Sequence, residues 1–469
     1  MVFSNLVFMF VFLPLFFICY FAFKEREKRN IVLLLFSLVF YAWGEPLYIL
    51  LMLFSIWFNY NAAIKIEQQK RFGFSGKGHL LFATVVNLLL IGVYKYADFV
   101  ISIINLIPGV NIPAINLPLP IGISFYTFQI LSYVIDVYRG EVRAQRRITY
   151  LGAYLSAFPQ LIAGPIVRYS TIAEELENRN ETVDDFAYGV RRFVAGLGKK
   201  VLIANNMAAV ADSIFARGGS EYGFIGAWVG IFAYTMQIYF DFSGYSDMAI
   251  GMGRMMGFHF LENFNYPYIS KSVTEFWRRW HMSLSSFFRD YVYIPLGGNR
   301  CSVKKHILNI LIVWMLTGLW HGAAWNFILW GVYYGILLLI EKYLIGKYIK
   351  KLPAFFQHIY TIFIFMLGWA LFRAESMTQL TEIFSALFGG YGVGNTGFFV
   401  FTQVLTAKNL LAAVAAVIFS MPVAVLLKRK LEKTKTGAFI VDLSVIVILF
   451  ACILMLEVGS YNPFIYFRF

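Results

Sequence analysis

The chain predicts an all-α, polytopic integral membrane protein, and three observations carry that prediction. Of its 469 residues, 59% are hydrophobic, 19% are aromatic and only 14% are charged, whereas soluble domains carry about 25% charged residues. Apolar runs of helix-spanning length follow one another from end to end. Lys and Arg collect in alternate connecting segments.

Taken in order, the apolar spans are 3–23, 31–44, 46–64, 78–107, 120–138, 201–217, 222–248, 307–320, 323–342, 355–373, 408–427 and 437–458, which predicts about 11–12 transmembrane helices. The first, from Val2 to Ala22, has neither a basic leader nor a small-residue cleavage motif, so it reads as a retained helix. With the N-terminus outside and every span crossing, the inner segments are 24–30, 65–77, 139–200, 249–306, 343–354 and 428–436, with Lys342 at the helix end counted beside the fifth. They hold 35 of the 40 basic residues, the partition that the positive-inside rule favours. Only Lys95, Arg217, Arg373, Lys408 and Arg468 fall elsewhere.

Three places resist a simple crossing pattern. Residues 148–167 are apolar but flanked by basic clusters on both sides, and Phe158-Pro-Gln-Leu-Ile-Ala-Gly-Pro165 breaks a helix. A re-entrant element lining a cavity fits, with a Pro-kinked structural helix as the alternative. The span 307–320 is short, about 21 Å at 1.5 Å per residue, which predicts His321 at the floor of an outward recess. Residues 375–406, rich in Gly and aromatics, predict the longest outer loop.

The formal charge of +14 does not point to nucleic acid, because the basic residues punctuate apolar runs instead of forming one stripe; membrane lipid is the partner that fits. Cys19, Cys301 and Cys452 match neither a disulfide framework nor a metal spacing. No G-x-S-x-G elbow, HExxH, P-loop or GxGxxG is present, so neither a metal nor a nucleotide cofactor is expected.

Two histidines carry the chemistry. His281 lies in Trp277-Arg-Arg-Trp-His281, and residues 272–289 read as one helix opened by a Ser272/Glu275 capping pair. On that helix Trp277, His281, Leu284 and Phe288 share a face. Arg278, Arg279, Arg289 and Lys304, with Arg300 and Lys305, suit the phosphates of a donor or anionic lipid headgroups equally. His321 is flanked by Trp320, Gly322 and Trp325, with Asn326 as the nearest amide. Imidazole takes and returns protons near neutral pH, and ionisable groups at membrane depth are functional candidates. Either histidine would equally serve as a hydrogen-bonded structural residue. Asp241-Phe-Ser-Gly-Tyr-Ser-Asp247 offers two carboxylates, to orient a histidine or to pair with a cation.

Trp277-Arg-Arg-Trp-His281, Phe288-Arg-Asp-Tyr291, Tyr293-Ile-Pro-Leu-Gly-Gly-Asn-Arg300 and Leu319-Trp-His-Gly322 together resemble the bacterial polysaccharide branch of the membrane-bound O-acyltransferase family. Tyr41-Ala-Trp-Gly-Glu-Pro46, Phe158-Pro-Gln160, Ala163-Gly-Pro165, Asp241-Phe-Ser-Gly244 and Pro463-Phe-Ile-Tyr-Phe467 follow the same pattern in order. The resemblance covers the chain as a single domain, 1–469, and length and both ends are closer to the alginate-acetylating members than to the teichoic-acid D-alanyl transfer members. It implies helices around a tunnel, His281 and His321 as catalytic positions, and Trp280, Trp320, Asn326, Asp241 and Gln160 along the substrate path. It further implies an acetyl donor on the cytoplasmic side, acetyl-CoA or an acyl-carrier thioester, with no bound cofactor. The acceptor would be a cell-surface or exported polysaccharide, served through an extracytoplasmic acetyltransferase partner, and the site a bacterial cytoplasmic membrane. D-alanyl transfer to teichoic acid is the alternative chemistry. A lipid-linked sugar transporter is the alternative class, and the paired half-chain repeats typical of transporters are not evident.

Overall fold

The computed structural model describes residues 2–162, 164–392, 404–459 and 461–465, and all of their regular structure is helical. The helices are α1 (Phe8–Phe21), α2 (Arg26–Ala42), α3 (Ile49–Arg71), α4 (Lys77–Ile104), α5 (Ile123–Arg139), α6 (Ile148–Ser156), α7 (Phe158–Leu161), α8 (Tyr169–Glu177) and α9 (Val183–Gly198). They continue with α10 (Asn205–Phe215), α11 (Gly219–Met255), α12 (Val273–Arg279), α13 (Met282–Phe288), α14 (Val303–His321), α15 (Trp325–Ile349), α16 (Ala354–Arg373), α17 (Met377–Leu387), α18 (Ala407–Phe419), α19 (Val423–Leu431) and α20 (Lys435–Glu457).

Each of the twelve apolar spans falls on a helix, but fewer are long enough to cross. Seven are long and apolar enough, and α18 with α19, bent by 74°, makes an eighth. Three of the other four spans fall on α1, α2 and α5, each shorter than 18 residues, and the fourth on the turn of π-helix that runs on from α9 into α10. At 1.5 Å per residue the first three reach roughly 21–26 Å, short of a core of about 30 Å. Apolar content marks burial in protein as readily as burial in lipid.

The chain forms two compact units, 1–193 with 248–261 and 194–247 with 262–469. In the first, a phenylalanine cluster (Phe8, Phe12, Phe16, Phe40 and Phe158) packs with ring centroids 5.1–6.1 Å apart around Phe158. Its inner segments are tied by charge. The buried Glu181 carboxylate accepts from Arg26, from Arg29 at 2.5 Å and from Tyr20 at 2.8 Å, while Arg179 donates to the Met256 carbonyl at 3.0 Å. Arg254 pairs with Asp185 at 2.9 Å, and Arg146 pairs with Glu67. Four segments assigned to one side by charge alone therefore meet one another.

The segment with two prolines folds as two short helices. α6 has nine residues and α7 four, and the break at Ala157 (φ −44, ψ 110) separates them. Residues 150–162 are all buried. The freed backbone finds partners: Phe158 N donates to Ser37 Oγ at 3.1 Å, and Gln160 Nε2 to the Tyr154 carbonyl at 2.6 Å. Ala163 lies outside the described residues.

In the second unit α14 is 19 residues long, about 28 Å. The recess expected from a short span therefore has no basis, because the helix starts in the basic stretch at Val303. Two glycines bring α14 and α15 into backbone contact. A Cβ on Gly318 would lie 2.3 Å from the Phe327 carbonyl oxygen, and one on Gly331 would lie 2.3 Å from that of Trp314. This approach sets His321, the last residue of α14, against Trp330. Part of the loop predicted at 375–406 is the helix α17, and residues 393–403 lie outside the described residues.

Candidate active site

The helix expected over 272–289 is two helices with His281 at the break. α12 opens as expected, with Ser272 Oγ accepting from Glu275 N at 3.0 Å. It stops at Trp280 (φ −100, ψ 131), and His281 takes a left-handed conformation (φ 44, ψ 55). Such a conformation costs about 1–3 kcal/mol for a non-glycine residue and persists only where the surroundings enforce it. Asn263 enforces it here. Its carbonyl accepts from Met282 N at 2.9 Å, and its side-chain Oδ1 accepts from Ser283 N at 3.2 Å and Ser283 Oγ at 2.9 Å. Asn263 thus caps α13 from outside the helix, supplying the acceptor that an N-cap side chain normally provides.

The same oxygen fixes the imidazole. A backbone N–H can only donate, so the atom facing Ser283 N is the amide oxygen. His281 Nδ1, 3.1 Å from that oxygen, therefore carries the proton, and Nε2 keeps its lone pair. Nε2 is buried and has no hydrogen-bond partner among the described residues. Burial holds the His281 pKa down at about 3, so the ring is neutral at physiological pH. Phe242 meets it edge-on at 4.7 Å and Trp320 lies 6.0 Å away.

His321 sits among Trp320, Trp330 and Phe372, at ring distances of 4.9, 5.1 and 5.1 Å. Both histidines line one cavity of about 990 Å³, together with Trp277, Arg278, Trp280 and Arg289. The cavity wall also holds Lys271, Lys342, Lys347 and Lys350. Its two carboxylates are spoken for. Glu275 pairs with Arg279 at 2.9 Å. Glu341 accepts from Val273 N (2.6 Å), Thr274 N (2.9 Å) and Thr274 Oγ1 (2.7 Å), holding the start of α12. The wall keeps a surplus of cations that suits an anion. A third histidine, His306, completes it: Lys342 Nζ donates to Nε2 at 2.9 Å, so Nδ1 donates to Tyr343 Oη at 2.7 Å.

Several predicted site residues lie off this wall. Arg279 is turned away, with Nη1 donating to the Asn265 carbonyl at 3.1 Å, and Lys304 is exposed outside the lining. Asn326 Nδ2 donates to the Ala374 carbonyl at 2.9 Å, tying α15 to the end of α16. Asp241 pairs with Lys200 at 2.8 Å and accepts from Ile465 N at 2.9 Å, so it meets a lysine and a backbone amide, not a histidine. Trp320 packs behind the two histidines. Gln160 belongs to the first unit, its amide used on the Tyr154 carbonyl. Among the residues missed by sequence reasoning are Asn263, His306, Glu341 and Lys342. An acid beside a base where an apolar span ends was a readable signal for the last two. Asn263, eighteen positions before its histidine, gave none.

A model of the membrane-bound O-acyltransferase family matches residues 147–378, a range that contains the whole cavity lining. A probable alginate O-acetylase of Azotobacter vinelandii is 39% identical over all of this chain and all of its own length. A peptidoglycan O-acetyltransferase of Helicobacter pylori is 35% identical over 84% of this chain and 81% of its own. A teichoic acid D-alanyltransferase of Bacillus subtilis is 28% identical over 65% and 78%. With full-length identity of this order and the family pattern across the cavity, the chain belongs to the membrane-bound O-acyltransferase family.

Proposed function

We propose that this protein is a multi-pass O-acetyltransferase of the bacterial cytoplasmic membrane that takes acetyl from a cytoplasmic thioester for O-acetylation of a cell-surface or exported polysaccharide. The observation that carries the reading is the pair of histidines on one cavity whose wall is cationic. The cations suit the phosphates of coenzyme A or a phosphopantetheine carrier. Arg278 and Arg289 remain in that role, joined by Lys342, Lys347 and Lys350. The names of the relatives, two of them O-acetyl-transferring proteins, support acetyl as the group moved.

In this mechanism His321 is the general base. It accepts the proton of the acceptor hydroxyl, on a sugar or on a serine of an extracytoplasmic partner, as the oxygen attacks the thioester carbonyl. The new C–O bond forms, the C–S bond breaks, and the proton passes from His321 to the departing thiolate. His281 positions the donor through Nε2, the nitrogen that Asn263 leaves unprotonated. Trp280 shapes the space between the two. A thioester is already activated, so positioning and proton transfer suffice, the latter contributing typically 10²–10⁴-fold.

Purified protein in lipid nanodiscs, given acetyl-CoA labelled in the acetyl group, tests the proposal. Thiol release or acetyl transfer that depends on His321 is the expected result. Absence of both with acetyl-CoA, and with an acetylated carrier protein, would overturn it. Release only from a D-alanyl carrier would move the assignment to the teichoic-acid chemistry.

A further inference from the structure

His321 and Trp280 border a second space, a recess of about 10 Å³ beside the large cavity. That is close to the threshold of about 10–15 Å³ needed to hold one water molecule, so it leaves room for no group larger than a methyl. Its remaining walls are aromatic rings, Phe372 and Trp369 among them, and the side chains of Ile238 and Ile465. None of them carries a charge. Because Trp280 and His321 face both spaces, an acyl carbon held near the histidines would direct its tail into the recess.

Ile465 comes from an irregular stretch, 461–465, that is anchored by buried polar groups. Ile465 N donates to Asp241 Oδ2 at 2.9 Å. The other oxygen of Asp241 lies 2.8 Å from Lys200 Nζ, with the two side chains 1% and 4% exposed. Lys200 also donates to the Pro463 carbonyl, and Asn205 Nδ2 to Asn462 Oδ1 at 3.1 Å. A buried ion pair is costly to desolvate and needs further hydrogen bonds to its remaining atoms. Here those bonds go to the stretch that carries Ile465. This gives a use to two features the histidines leave idle, the Asp241 carboxylate and the Pro463-Phe-Ile motif.

We propose that the recess is the acyl pocket and that Ile465, positioned by Asp241 and Lys200, limits it to an acetyl group. The inference rests on the acetyl-thioester reading above. It also bears on acetyl against D-alanyl: the ammonium of a D-alanyl group would leave water for a wall whose one acceptor is the His321 imidazole, the group the mechanism needs as its base.

The test is a donor series of acetyl-, propionyl- and butyryl-CoA, read as rates of thiol release by wild type, Ile465→Ala, Ile465→Val and Asp241→Asn in nanodiscs. Thermal melts confirm that each variant is folded. One methylene in an apolar pocket discriminates about 10–200-fold. Ile465→Ala should raise the butyryl-to-acetyl ratio by at least about tenfold on that scale, with Ile465→Val moving it less and in the same direction. Asp241→Asn should raise it too, because the wall loses its anchor. Wild type active on acetyl-CoA with the ratio unmoved in the folded Ile465 variants overturns the inference and leaves the proposed function standing. Wild type inactive on every thioester, an acetylated carrier protein included, removes both.

Discussion

The two units each build a dense aromatic cluster, and the clusters differ in one respect. Phe158 of the first unit is ringed by Phe8, Phe12, Phe16 and Phe40, side chains with no polar atom. Trp277 of the second unit meets Trp314, Trp330 and Tyr334 at 4.7–5.4 Å, and His281 and His321 lie nearby. Phenylalanines can close on one another without loss. Indoles and imidazoles bring N–H groups and lone pairs that need partners when buried. In the second cluster Trp277 Nε1, Trp330 Nε1 and His281 Nε2 have none among the described residues, and the cluster borders a cavity of about 990 Å³. One aromatic cluster thus closes on itself, and the other borders a cavity. Unmet hydrogen-bonding capacity beside a cavity separates them, not hydrophobicity.

Five variants break or sharpen that contrast. The largest effect on transfer is expected from His321→Ala, a loss of about 10²–10⁴-fold in acetyl transfer with an unchanged melting temperature. Next comes Asn263→Ala. It removes the acceptor that holds the His281 proton on Nδ1, and the loss of one buried hydrogen bond, about 1–3 kcal/mol, corresponds to roughly 5–150-fold in rate. Asn263→Asp keeps an acceptor and should recover part of it, an outcome that a merely structural cap would not distinguish from Ala at equal stability. Lys342→Gln together with Lys347→Gln should raise the KM for the thioester several-fold while kcat changes little. The effect should shrink at high salt, since screening already weakens those contacts in wild type. The smallest effect on transfer is expected from Phe158→Ala. It costs about 3–5 kcal/mol of stability and lowers yield, yet transfer per folded molecule should match wild type.

The fold was legible because its determinants are local and one-dimensional. Apolar runs located the helices, and the partition of basic residues grouped segments that the structure joins through Arg26–Glu181, Arg146–Glu67 and Arg254–Asp185. What a run of apolar residues does not encode is whether protein or lipid covers it, so α1, α2 and α5 read as crossings although each is under 18 residues. At the site, His281 and His321 stood out as imidazoles in Trp-rich surroundings. The geometry around His281 was hidden, because periodicity over 272–289 is helical and the break comes from a distant residue, Asn263. Charge was legible in sign but not in direction. Arg278 and Arg279 are adjacent, yet one lines the cavity and the other returns to Glu275 on its own helix.

The contrast is tested most directly by measuring acetyl transfer per folded molecule for His321→Ala and Phe158→Ala side by side, with an isotope-labelled acetyl thioester and a thermal melt on each sample. The account predicts that His321→Ala melts like wild type and transfers at least about 10²-fold more slowly, while Phe158→Ala melts lower and transfers normally. Near-normal transfer by a stably folded His321→Ala would contradict it.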